Sequence, residues 1–228
     1  MHGAMNGAAA TAGSGEAGLP PIYTIYDDQG DAYPVTATLL DGERRKVRAD
    51  VEFNPNGSAK LPDGTRVRIE NSMTGLRYRT EHLPTRGRLE GVTREIGDFL
   101  MFANFLVVSA KFRSVMEELE PGKHLFEPLD LRWKDGTSPG EWFWFFPVQR
   151  LFGYDIEATT HEYDEEFGWF ETVNGKQYVG KLTQIGDNHI WVDVAADWHF
   201  PKVSDGFRRA MDAAGVRGIG YHAKPTVR

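Results

Sequence analysis

Histidine and aspartate side chains concentrate near the C-terminal end of the chain, where they could bind a metal ion. His189, Asp193, Asp197 and His199 fall within eleven residues. A single metal ion needs three or four such ligands converging on one point. Residues 189–194 alternate as a β-strand does, which places the side chains of His189 and Asp193 ~13 Å apart along a straight strand. The two residues cannot share one ion, so we predict no metal site here.

A second cluster places acidic side chains among aromatic ones. Residues 151–175 contain seven acidic residues and no lysine or arginine, which matches the net charge of −7 for the whole chain. Aromatic anchors inside a charged rim are typical of protein interfaces, and an acidic surface steers a basic partner toward it. We therefore predict a partner-binding surface; the alternative is a solvated acidic loop whose aromatic side chains turn inward. The predicted contact residues are Tyr154, Asp155, Glu157, Glu162, Tyr163, Asp164, Glu165, Glu166 and Trp169, with Trp142 and Trp144 as weaker candidates because both are expected in the core.

The sequence offers little for catalysis. It has no cysteine, which excludes disulfides, thiolate metal sites and a cysteine nucleophile. Ser109 and Ser204 are not in a nucleophile-elbow motif, and no phosphate-binding glycine loop is present. His161, Asp164 and Glu165 lie close together in sequence but form no recognisable catalytic set. We predict no catalytic residue, cofactor or bound metal, and a hydrolase with an unrecognised site is the least favoured alternative.

A repeated pattern indicates which elements hold these residues in place. Residues 108–116 and 203–211 share five of nine positions without a gap, 95 residues apart. Ser109 and Ser204 are suited to cap a helix N-terminus. Phe112 and Met116, like Phe207 and Met211, then fall on one helical face and are expected in the core. Each copy therefore predicts a strand, a capped helix and a second strand.

The rest of the chain predicts an α+β fold with three parts. We expect residues 1–20 to form a disordered tail, residues 21–94 a β-rich segment, and residues 95–228 a mixed α/β domain. In that domain the two strand–helix–strand units flank a central aromatic strand, Glu141–Val148, which is apolar on both faces. Asn174-Gly175 predicts a hairpin turn between strands at 169–173 and 177–182. No apolar run is long enough to span a membrane, so we expect a cytoplasmic protein.

Arginines of the N-terminal segment support a second candidate function. Arg66 and Arg68, then Arg77 and Arg79, alternate with other residues, so each pair could lie on one strand face. A basic face can bind phosphates, although here no aromatic residues are interleaved to stack on bases. A nucleic-acid-associated or regulatory binding module is therefore the runner-up.

Three stretches of the sequence resemble a known family. They read FLVVSAKFRSVMEELEPGKHLFEPLDL, EWFWFFPVQRL and FPKVSDGFRRAMDAAGVRGIGYHA, and together they extend from Ile96 to Ala223. This order is similar to the immunity proteins numbered eleven among the polymorphic toxin systems. The family often has Leu-Asn-Val where this chain has Phe146-Pro147-Val148, so no role is inferred for that asparagine. The resemblance implies an antidote encoded beside a toxin of a contact-dependent or type VI secretion system. Such a protein binds the toxin domain, often a nuclease, inside the producing cell and is not an enzyme.

Overall fold

A computed structural model describes residues 18–28, 35–62, 64, 66–68, 73–91, 94–102, 105–165, 168–171, 173, 175–195 and 200–228. In chain order its strands are β1 Ile22–Asp27, β2 Val35–Leu39, β3 Arg48–Ala49, β4 Ser58–Lys60, β5 Arg66–Arg68, β6 Tyr78–Arg79, β7 Arg86–Gly91, β8 Phe99–Phe102, β9 Phe105–Ser109, β10 Leu125–Trp133, β11 Trp142–Phe146, β12 Arg150–Leu151, β13 Glu162–Asp164, β14 Trp169–Glu171, β15 Gly180–Lys181, β16 Ile190–Asp193, β17 Lys202–Ser204, β18 Ile219–Lys224 and β19 Thr226–Val227. The helices are α1 Ala110–Leu119, α2 Leu182–Ile185 and α3 Asp205–Ala213. The described part of the chain is an α+β structure, rich in strands, with mixed sheets.

The aromatic strand β11 lies inside a six-stranded sheet with the order β2-β7-β10-β11-β9-β8. The sheet is mixed because β7 pairs with β10 in parallel, whereas its other pairs are antiparallel. Every residue of β11 is buried. Trp144 packs in the core on one face of the sheet and Phe145 in the core on the other. Burial of both faces explains the uninterrupted apolar run and confirms the prediction of a covered central strand.

The N-terminal segment contributes strands to the C-terminal half of the chain. β1 lies between β17 and β18 in a five-stranded sheet with the order β12-β16-β17-β1-β18. β2 and β7 extend the six-stranded sheet beside β10. Pairing between strands therefore crosses the domain boundary that we predicted after residue 94. Other strands of this segment are short: β3 has two residues and follows a 3-10 turn at Arg44–Lys46.

Both serine-capped helices begin where the repeat predicts. The Oγ of Ser109 accepts a hydrogen bond from the backbone N–H of Phe112 at 3.3 Å, and the Oγ of Ser204 accepts one from Phe207 at 3.1 Å. The rings of Phe112 and Phe207 are both fully buried, with centroids 6.1 Å apart, so the two helices share one core. The units nevertheless lie in different sheets. β9 and β10 flank β11, whereas β17 and β18 flank β1, so only the first unit borders the aromatic strand.

Removal of one cap gives a modest stability prediction. Replacing Ser204 by alanine leaves the Phe207 N–H without its acceptor, and we expect the free energy of unfolding to fall by about 1 kcal/mol. Urea denaturation of the variant measures this loss. Ser114 is exposed on α1, so Ser114→Ala is the matched control and should change stability by less than about 0.5 kcal/mol. Equal stability of the two variants would contradict the assigned cap.

Candidate partner-binding surface

The acidic segment folds into a short hairpin of β13 and β14. Tyr163 pairs directly with Phe170 in an antiparallel register. The chain reverses at Gly168, whose φ of +75° favours glycine and whose N–H donates to the Asp164 carbonyl at 2.7 Å. The hairpin that we predicted around Asn174-Gly175 is wrong: β14 pairs with the strand before it, and β15 pairs with β19 instead. Asn174 itself lies outside the described residues.

The inner face of the hairpin packs on an aromatic cluster. The rings of Tyr163 and Phe170 lie 5.0 Å apart between centroids, and Phe170 is fully buried. Tyr154 contacts Phe170 edge-on at 6.3 Å. The Phe170 N–H also donates to the Ala195 carbonyl at 2.8 Å, which fixes the hairpin beside β16. These aromatic side chains pack against the rest of the protein, because the alternation of side chains along a strand turns them away from solvent.

The outer face of the hairpin is acidic. Glu162 and Glu171 are directly opposite each other and both are exposed. Asp164 is opposite Trp169, whose side chain is 38% exposed. Like charges directly across a strand pair repel each other and lower the stability of the hairpin. Within the described parts of the chain, neither Glu162 nor Glu171 forms a salt bridge, so both carboxylates can accept hydrogen bonds from a cation.

A tight turn before the hairpin presents further exposed side chains. Asp155 is buried, accepts a hydrogen bond from the Ala158 N–H at 2.8 Å and forms a salt bridge of 2.8 Å with Lys181. The hydrogen bond from Lys181 lowers the pKa of the Asp155 carboxyl. This anchored turn carries the exposed side chain of Glu157 and that of Ile156, which is 49% exposed. Sequence reasoning missed Ile156, because a single isoleucine beside acidic residues reads as a core residue.

The predicted contact residues therefore divide into exposed and buried ones. Tyr154 is only 1% exposed, and burial raises the pKa of its hydroxyl well above the usual value. Tyr154 and Asp155 are buried beneath this surface. They support it and are not contact residues, which corrects our prediction. Tyr163 is half-buried under the outer face, and Glu166 lies outside the described residues. The exposed set is Ile156, Glu157, Glu162, Glu165, Trp169 and Glu171, with Asp164 partly exposed beside them; we call it the acidic hairpin surface.

Comparison with known families assigns the chain to one of them. The model of an immunity protein family (Imm11) matches residues 34–224. The chain belongs to this immunity protein family. The match begins well before Ile96, where the motif resemblance began, because β2 and β7 are integral to the six-stranded sheet. A search of curated proteins finds no match. Among the described residues, no helix of this immunity protein is long and apolar enough to cross a membrane.

His161 and His189 of this immunity protein each have a structural partner. The backbone N–H of Val173 donates to Nδ1 of His161 at 3.0 Å, and the His161 ring stacks on Tyr178 at 4.1 Å between centroids. Burial lowers the pKa of His161. The ring stabilises the chain after β14 through its contact with Val173. Nδ1 of His189 lies 3.0 Å from the Oγ of Ser204 at the start of α3. Asp197 and His199 lie outside the described residues. In the parts of the chain that are described, no three His, Asp or Glu side chains are arranged to hold a metal ion.

In the described structure, the other candidate residues lie in the core or in separate small sheets. Trp142 and Trp144 are 4% and 0% exposed, as their position in a central strand predicts. Arg66 in β5 and Arg79 in β6 belong to separate two-stranded sheets. Arg79 is also neutralised by salt bridges of 2.8 Å to Asp50 and 3.0 Å to Glu52. The nucleic-acid alternative thus gains no support from the arrangement of its arginines.

Proposed function

We propose that this immunity protein is the antidote of a toxin–immunity pair, which binds a cognate secreted nuclease and occludes its active site. The family match over residues 34–224 carries the immunity role. Binding alone suffices for protection, since the substrate cannot enter an occluded active site. The protein would act in the cytoplasm of the producing cell, against a toxin delivered by a type VI or contact-dependent system.

The acidic hairpin surface supports the choice of a nuclease. An enzyme that cleaves nucleic acid binds phosphates through lysine and arginine side chains, so its active-site cleft is basic. Glu157, Glu162 and Glu165 provide the opposite charge on this protein. Complementary charges steer the encounter and exclude wrong partners. Blocking a basic cleft with carboxylates would also exclude the phosphates of the substrate directly.

The exposed apolar side chains of this surface supply anchors. Trp169 lies on the hairpin's outer face opposite Asp164, between the turn and Glu171. Tryptophan is enriched among the interface residues that contribute most to affinity, particularly where a polar rim excludes water around it. Ile156 adds a second large apolar side chain in the preceding turn. Both would lie against apolar parts of the toxin, with the carboxylates around them.

The opposed carboxylates are consistent with a surface adapted to binding. Glu162 and Glu171 weaken the free hairpin through repulsion. A lysine or arginine of the toxin lying across the pair would convert this repulsion into two attractive contacts. Binding sites commonly retain such features at a cost in stability.

Co-expression tests the proposal as a whole. The gene upstream is expected to encode a large secreted protein with a C-terminal toxin domain. Expression of that domain alone should stop growth, and co-expression of this immunity protein should restore it. Continued growth arrest despite soluble immunity protein would contradict the proposal, as would a neighbouring gene that encodes no toxin.

A further inference from the structure

A lysine outside the acidic segment supplies the cation that this segment lacks. Residues 151–175 contain no lysine or arginine, yet Asp155 is buried among them. A buried carboxylate without a compensating partner is costly, so an opposite charge has to come from elsewhere in the chain. Lys181 at the end of β15 provides it, with Nζ 2.8 Å from Oδ2 of Asp155. The aspartate side chain is 10% exposed and the lysine side chain 36%, so the pair lies at the boundary between core and solvent.

The carboxylate of Asp155 also determines the shape of the turn that follows it. Its Oδ1 accepts a hydrogen bond from the Ala158 N–H at 2.8 Å. The backbone carbonyl of the same residue accepts a second bond, from the Thr159 N–H at 2.9 Å. Between these two contacts, Ile156 and Glu157 are exposed to solvent. The inward position of the aspartate is therefore coupled to the outward position of the apolar and acidic side chains of this turn.

Backbone pairing keeps Lys181 beside the turn. Its N–H donates to the carbonyl of Gly153 at 2.7 Å, and the Asp155 N–H donates to the carbonyl of Val179 at 2.8 Å. β15 also pairs in parallel with β19, where Lys181 is opposite Val227. The lysine thus reaches the aspartate from a strand that is paired on both sides, which favours a single geometry for the ion pair.

We propose that Lys181 positions the turn of Ile156 and Glu157 for contact with the toxin, an inference that rests on the proposed function. Ordering a flexible loop during binding lowers affinity, and a loop already held in its bound shape avoids that cost. Loss of the lysine leaves a buried carboxylate without a cation, and opening of the turn lets water reach it. Lys181 is therefore a positioning residue that acts through Asp155.

The sign of the effect distinguishes positioning from electrostatic steering. Replacing Lys181 by methionine makes the surface more negative, which by itself would speed association with a basic partner. Positioning predicts weaker binding instead. We expect Lys181→Met to bind the toxin about fivefold less tightly, chiefly through faster dissociation measured by surface plasmon resonance. Lys176→Met removes the same charge at an exposed position and is the matched control, which should bind at least as tightly as the unaltered protein.

Hydrogen exchange tests the positioning on the free protein. In Lys181→Met the backbone N–H groups of Ala158 and Thr159 should exchange about tenfold faster, because the turn opens more often. The N–H groups of β11 should exchange at unaltered rates, which shows that the fold as a whole is as stable as before. Lys181→Arg keeps a cation beside Asp155 and should restore slow exchange in the turn and most of the affinity.

A cycle of variants locates the effect in the turn. Ile156→Ala combined with Glu157→Ala removes the side chains that Lys181 positions, so adding Lys181→Met should cause no further loss of affinity. An undiminished further loss in that background would overturn the proposal. Unchanged exchange at Ala158 and Thr159, or unchanged toxin binding by Lys181→Met, would also overturn it. Failure of the proposed function has a different signature, because the unaltered protein itself would then not bind the toxin domain.

Discussion

Replacing Glu120 by alanine is expected to lower the free energy of unfolding by about 3 kcal/mol, because it removes the acceptor of a buried network. The Glu120 side chain is 1% exposed at the end of α1 and accepts hydrogen bonds from His124 Nε2 at 2.8 Å and Lys123 Nζ at 2.9 Å. The backbone N–H groups of His189 and Ile190 also donate to it, at 3.2 and 3.3 Å. This carboxylate therefore joins α1 to β16. Its loss removes the acceptor of the buried His124 ring and of two backbone N–H groups, whereas Lys123 stays open to solvent.

The same network predicts how stability depends on pH. Burial alone would raise the pKa of Glu120, but the hydrogen bonds from His124 and Lys123 outweigh it and lower the pKa from 4.5 to about 2. A lowered pKa in the folded state means that the unfolded chain takes up the proton first. The stabilisation is thus complete above pH 4.5 and is lost as the pH falls toward 2. Urea denaturation across this range should show a steeper loss in the unaltered protein than in Glu120→Ala.

Glu118 provides the control for this prediction. It is exposed on the same helix, so Glu118→Ala should change stability by less than about 0.5 kcal/mol. If the Glu118 and Glu120 variants were equally stable, the buried network would not have the role assigned to it.

Charge reversal on the acidic hairpin surface should have the largest effect on function. We expect Glu162→Lys combined with Glu165→Lys to slow association with the toxin about tenfold or more at low salt, because electrostatic steering becomes repulsion. Surface plasmon resonance over a series of salt concentrations measures the association rate. The difference should shrink as salt screens the charges.

The opposed glutamates make it possible to distinguish weaker binding from misfolding. Glu162→Lys places a cation opposite Glu171, so the variant hairpin should be equally stable or more stable by about 0.2–1 kcal/mol while it binds less well. Glu81→Lys combined with Glu118→Lys changes the net charge by the same amount at exposed sites elsewhere. That control should associate nearly as fast as the unaltered protein. Equal slowing by both double variants would show that net charge acts, and not this surface.

Short sequence patterns predicted the parts of the fold that depend on interactions between residues close in sequence. The helix caps at Ser109 and Ser204 and the buried stripe that includes Phe112 follow from spacing alone, and the structure contains them. The pairing of β1 with β17 and β18 joins residues about 180 to 200 positions apart, which no local pattern encodes. The sequence motifs consequently located the family in the C-terminal half and missed the contribution of β2 and β7.

The candidate surface was predictable in composition but not in orientation. Acidic side chains mark the segment, yet which aromatic residues face solvent depends on strand register. A hairpin closed at Gly168 turns Phe170 inward and leaves Trp169 exposed. The predicted turn at residues 174–175 would have paired β14 with a different strand. Tyr154 was misassigned for the same reason, since its place under the hairpin depends on packing between distant segments.

Titration calorimetry with the toxin domain, followed by an activity assay of the same mixtures, tests whether binding inhibits the toxin. We expect one binding event with a stoichiometry of one to one, and nuclease activity that falls in proportion to the occupied fraction. The combined Glu162→Lys and Glu165→Lys variant should need a higher concentration to reach the same inhibition. Tight binding that leaves nuclease activity intact, or no heat of binding with a folded toxin domain, would contradict inhibition by occlusion of the active site.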